Sequence, residues 1–82
     1  MDKPVGRVKN YLDQVSVAVI ELYAPIKVGD TLLFKRGERS HTETVESIQI
    51  EKESLQSAKK GDVIGLLVTE PVIRDMEVFK QS

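Results

Sequence analysis

Apolar and polar residues alternate in short runs along this chain, and the runs are broken by Gly, Pro and Asp, the period-two pattern of β-strands joined by turns. Val5 to Tyr11 predicts a first strand, with Gly6, Val8 and Asn10 on one face and Val5, Arg7, Lys9 and Tyr11 on the other. Asp13-Gln14 predicts a hairpin turn into Val15 to Leu22, the strongest strand signal, because β-branched residues pack well on a pleated surface. Within that run the apolar phase shifts from Val15, Val17 and Val19 to Ile20 and Leu22, which predicts a bulge. Pro25 cannot continue a central strand, so Ala24 to Lys27 reads as a connection.

Val28 to Phe34 predicts the next strand, and Lys35 to His41 a polar loop around Gly37. Thr42 to Glu51 reads as a long strand with a bulge near Glu46-Ser47. Glu53 to Lys60 has only Leu55 and Ala58 to bury, so at most one short helical turn is expected near 53–59. Val63 to Val68 is apolar on both faces, so one face meets the core and the other needs a cover. Met76 to Lys80 closes the chain as a last strand after a turn at Arg74-Asp75. The sum is an all-β fold, expected as a small six-stranded closed barrel over one domain, residues 1–82.

A local pattern repeats. Ile26 to Leu32 and Leu55 to Ile64 both place Gly-Asp directly before an apolar strand, which marks Gly29, Asp30, Gly61 and Asp62 as structural turns. Ile73 to Val78 is a degenerate third copy, with Arg74-Asp75 where the glycine is expected.

Composition narrows the function. The chain has 82 residues, 40% hydrophobic and 30% charged, enough to bury one modest core. It has no cysteine, which removes disulfides, thiolate metal sites and cysteine nucleophiles and fits a reducing cytoplasm. No apolar run suggests export or a membrane span, so no membrane partner is expected. The net charge of -1 hides an uneven spread. Residues 1–41 hold seven Lys/Arg and five Asp/Glu, a sum of +2; residues 42–82 hold five and eight, a sum of -3. The basic excess lies in Arg7, Lys9, Lys35, Arg36 and Arg39.

Val5-Gly6-Arg7-Val8, Val17 to Leu22, Ile26 to Leu32, Val45 to Ile50 and Ala58 to Leu66, in that order and spacing, resemble the second domain of elongation factor Tu and related translational GTPases. The resemblance implies the translation-protein type of β-barrel and contacts with tRNA, rRNA or the ribosome. Similar barrels also serve as accessory domains, including the tails of some collagenase-like peptidases.

Catalysis finds little footing. A GTPase needs a Gly-rich phosphate loop followed by Lys and Ser/Thr, and Lys60-Gly61 lacks both the upstream glycine and the hydroxyl, so no nucleotide binding is expected. His41 beside Ser40 and near Glu43 suggests a triad, but adjacent strand residues point to opposite faces, and a solvated loop histidine is the simpler reading. Glu51 and Glu53 among Lys52, Lys59 and Lys60 read as an exposed mixed-charge surface. No catalytic residue, metal or cofactor is assigned.

The leading expectation is therefore a stand-alone, non-catalytic barrel that grips RNA phosphates through Arg7, Lys9, Lys35, Arg36 and Arg39, with Tyr11 adding stacking. The alternatives are a protein-interaction or self-association module using the two-sided apolar strand, or an accessory domain of a separate enzyme such as a collagenase-like peptidase.

Overall fold

A computed structural model describes residues 3–51 and 53–81. These form ten strands and no helix: β1 (Gly6–Leu12), β2 (Val17–Leu22), β3 (Ile26–Lys27), β4 (Thr31–Arg36), β5 (Arg39–Thr44), β6 (Ile48–Ile50), β7 (Glu53–Leu55), β8 (Ser57–Ala58), β9 (Val63–Leu67) and β10 (Glu77–Gln81). Eight make one antiparallel sheet in the order β5-β4-β10-β1-β2-β9-β6-β7, and β3 pairs with β8. Among the described residues no helix is long and apolar enough to cross a membrane.

β2 shows how alternation becomes a core. Ala18, Ile20 and Leu22 are buried, while Val17, Val19 and Glu21 lie half-exposed on the other face. Ile20 faces Val8 on β1 and Ile64 on β9, Leu66 faces Ile48, and Val78 faces Phe34. The inner residues of all these strands join Ile26, Val45, Val72 and Met76 in a single apolar cluster, so the sheet curls around one core.

The bulge expected in β2 sits instead in its partner. Between Val8 and Asn10 the β1 register shifts, leaving Lys9 as the extra residue. The phase shift in the β2 sequence arises because both faces of β2 are apolar, and its own alternation is regular. Beyond the bulge Tyr11 faces Ala18 and packs against the core, so it leaves the face that carries Arg7.

Three other expectations change. Arg39-Ser40-His41 opens β5, because Arg36 and Arg39 pair across a two-residue turn whose first residue, Gly37, has φ 60°, the position a type II′ hairpin gives to glycine. Thr42 to Glu51 is two strands: Val45 is pinned by bonds from its N–H to Asp30 and from Gly29 to its carbonyl, both 2.8 Å, and the chain then crosses to join β9 as β6. The helical turn near 53–59 is replaced by β7 and β8, whose backbone groups find partners on β6 and β3 where a short helix has too little to bury.

The fold is all-β, but the eight-stranded ladder is open rather than a closed six-stranded barrel. β5 and β7 are its two ends and do not pair with each other among the described residues.

The two Gly-Asp segments form the same turn. In Lys27–Asp30 and Lys59–Asp62 the Asp N–H donates to the Lys carbonyl at 3.1 Å, and the Asp Oδ2 accepts the Lys N–H at 2.9 and 3.0 Å. Gly29 and Gly61 sit at φ 98° and 93°, the third position of a type II turn. β3 and β8 pair Ile26 with Ala58, relating the two copies by a local two-fold. In the third copy Met76 N–H donates to the Ile73 carbonyl at 3.3 Å, and Asp75 takes the glycine position at φ 71°. Aspartate is among the few residues that tolerate that conformation.

Candidate functional site

The five basic residues lie at one end of β1, β4 and β5, interleaved with acids. Lys35 faces Glu77, Glu77 faces Arg7, and Arg7 faces Glu21, a row of alternating sign across four strands. Arg7 pairs with Asp75 at 3.1 Å, both half-exposed. Arg36 Nη1 donates to the Arg74 carbonyl at 3.0 Å, and Arg74 Nε donates to the carbonyl of the bulged Lys9 at 3.1 Å. Arg39 sits across the hairpin from Arg36. Arg7, Lys9 and Arg36 are thus gathered around the Ile73–Met76 turn, and pairing exposed cations with Glu77, Glu21 and Asp75 makes the surface mixed rather than cationic. Of the mixed-charge set expected further along, Glu51 lies in the turn after β6 and Glu53 on β7, while Lys52 is outside the described residues.

A buried polar cluster was not visible in sequence. Glu43 points inward from β5 with only 6% of its surface exposed. Its carboxylate accepts from Thr69 N–H at 3.0 Å, Thr69 Oγ1 at 3.1 Å and Glu70 N–H at 3.2 Å, and lies 3.0 Å from His41 Nε2. His41 is not a solvated loop residue: its ring stacks on Phe34 with centroids 5.3 Å apart and planes 10° from parallel. The one available signal was same-face spacing, since His41, Glu43 and Val45 alternate once β5 is read as a strand.

The cluster does not have the order of a hydrolytic triad. A hydrolytic triad needs an imidazole between hydroxyl and carboxylate, whereas here Glu43 stands in the middle and takes hydrogen bonds from both sides. The Thr69 hydroxyl bonds the Glu43 carboxylate directly, with no imidazole between them. What the cluster does is tie the end strand β5 to the segment after β9, fastening the open ladder with side chains. Among the described residues no group of His, Asp and Glu converges to hold a metal ion.

The outer face of β9 keeps its apolar character. Ile64, Leu66 and Val68 are buried, while Val63 and Leu67 are about half-exposed. Leu67 faces Val17, and Val17 faces Leu12, so an apolar row runs across β9, β2 and β1 with exposed Val15 near its end.

No protein-family model matches the chain. Among curated proteins it is similar to an uncharacterized protease of Methanocaldococcus jannaschii, 41% identical over 63 residues. That stretch is 76% of this chain and 16% of the protease, so the chain spans under one fifth of that relative. Among solved structures it is similar to the C-terminal domain of a Geobacillus thermoleovorans protein described as a U32 peptidase. The selenomethionine variant superposes with a TM-score of 0.89 at 21% identity, covering 95% of this chain and 99% of the domain. A second structure of that domain gives 0.89 at 20% identity, covering 99% and 93%.

These likenesses correct the resemblance to elongation factor Tu and, with it, the translation and RNA-binding reading: the similar proteins are described as a protease and a U32 peptidase, and nothing in them points to a translational GTPase or to RNA binding. Two of the five segments behind that resemblance hold the Gly-Asp turns and the other three are short alternating runs, features that small antiparallel folds share widely.

Proposed function

We propose that this chain is a non-catalytic accessory domain that acts with a peptidase, through protein contacts rather than chemistry of its own. The observation that carries the reading is the 41% identity with a segment that makes up 16% of a protease. The all-β fold shared with a peptidase C-terminal domain supports it. So does the local chemistry, since the single buried acid-histidine pair is consumed in fastening β5. The exposed Leu12, Val15 and Leu67 offer apolar area for a protein neighbour.

The test is sedimentation of this chain with the M. jannaschii protease from which the matching segment has been deleted. A one-to-one complex at micromolar concentration is expected, together with no cleavage of an unfolded protein by this chain alone. Hydrolysis by the isolated chain, or the absence of any complex at about 100 μM, would contradict the reading.

A further inference from the structure

We propose that the outward edge of β5 is an acceptor for one extended polypeptide strand supplied by another protein. β5 is a six-residue end strand whose partner β4 covers only one side. In an antiparallel ladder alternate residues turn their N–H and C=O toward the partner and the rest turn them away. Val45 N–H donates to Asp30 across the continuation of this pair, so His41 and Glu43 share its phase and bond β4. Ser40, Thr42 and Thr44 therefore aim their backbone groups off the sheet. All three are exposed, and the pairing phase turns their N–H groups away from β4.

Natural edges are usually blunted by proline, lysine, a bulge or short length. β5 pairs with β4 in continuous register from Thr31↔Thr44 to Arg36↔Arg39 and has no proline, lysine or bulge between its ends; its one inward charge, Glu43, is taken up by Thr69 and Glu70. The other end strand, β7, has three residues.

The edge faces a groove rather than open solvent. A depression of about 580 Å³ lies between Thr42 and Thr44 on one side and Leu67 and Thr69 on the other. A second, of about 320 Å³, lies between Ser40 and the apolar Pro71 and Ile73. Between them Glu43 bonds Thr69 and Glu70 and holds the far wall in place.

The occupant follows from this chemistry. A row of main-chain donors and acceptors is complementary to an extended main chain, and the depression at each end, of mixed polar and apolar lining, takes side chains at alternating positions. An extended segment of a different polypeptide is the occupant this row of main-chain groups fits. This inference stands on the edge geometry, and the peptidase reading gives it a natural partner, an unfolded polypeptide.

The probe is an end-capped eight-residue peptide alternating valine and threonine, titrated against the 15N-labelled chain. Binding is expected to move the amide signals of Ser40, Thr42 and Thr44 and to slow their hydrogen exchange about tenfold. The same peptide N-methylated at alternate amides should not bind. Thr42→Pro, which removes one outward N–H, should weaken binding about tenfold or more with an unchanged unfolding transition, while Thr42→Ala should bind normally. Should Thr42→Pro fail to fold, the N-methylated peptide decides alone. No shift at millimolar peptide, equal binding of the N-methylated peptide, or concentration-dependent dimerisation through β5 would each overturn the proposal. Complex formation with the truncated protease is read separately, so either idea can fail alone.

Discussion

The two ends of the eight-stranded sheet are built differently. β7 is three residues long, follows a tight turn at Glu51 and presents exposed Glu53 and Ser54. β5 is twice that length and is anchored from within by a buried carboxylate that reaches 26 residues along the chain to Thr69. One end resists pairing by being short. The other is long, fixed in place and open along its backbone, which is what a binding edge requires and an unused edge avoids. Stability invested in holding an exposed strand still points to use of that strand.

The largest way to break this comparison is to remove the anchor. Glu43→Ala leaves the Thr69 and Glu70 amides without their acceptor and is expected to cost about 3–5 kcal/mol in denaturant unfolding. Glu53→Ala at the other end should change stability by less than about 0.5 kcal/mol. Similar costs at the two ends would remove the asymmetry.

The hairpin turns give a smaller contrast of opposite sign. Gly37 before β5 has φ 60°, so Gly37→Ala should destabilise by about 1–2 kcal/mol. Glu51 before β7 is held at φ 49° with a side chain, so Glu51→Gly should stabilise by up to about 1 kcal/mol. Thermal unfolding of both variants measures the pair. The smallest effect needs no mutation: the amides of His41 and Glu43 should exchange about tenfold or more slowly than those of Ser40, Thr42 and Thr44. Uniform protection along β5 would contradict the outward phase.

Much of this fold was legible in the sequence. β2, β4 and β9 could be read as apolar strands, but not which face turns inward, because Val17, Val19, Leu33, Val63 and Leu67 make the outer faces apolar as well. The paired turns could be read because a type II turn demands glycine, and Asp-to-backbone bonding is local. The third turn was half-legible, since aspartate in the glycine position breaks the pattern while keeping the geometry. What could not be read depends on distant partners. The β1 bulge that turns Tyr11 inward shows only against β2, and nothing near Glu43 announces Thr69. The basic residues were legible as residues but not as a surface, because Glu77 and Asp75 arrive beside them from the far end of the chain. Relationship was misread for a related reason: local turn physics is shared far more widely than ancestry.

Whether this chain does the work of the segment it matches in a protease can be measured directly. Cleavage of an unfolded protein is compared for the intact M. jannaschii protease, for the protein lacking the matching segment, and for a chimera in which this chain replaces it. Loss of cleavage on deletion and its recovery in the chimera are the predicted result. A chimera no better than the deletion, alongside an active intact protein, would contradict the assignment of this chain as a peptidase accessory domain.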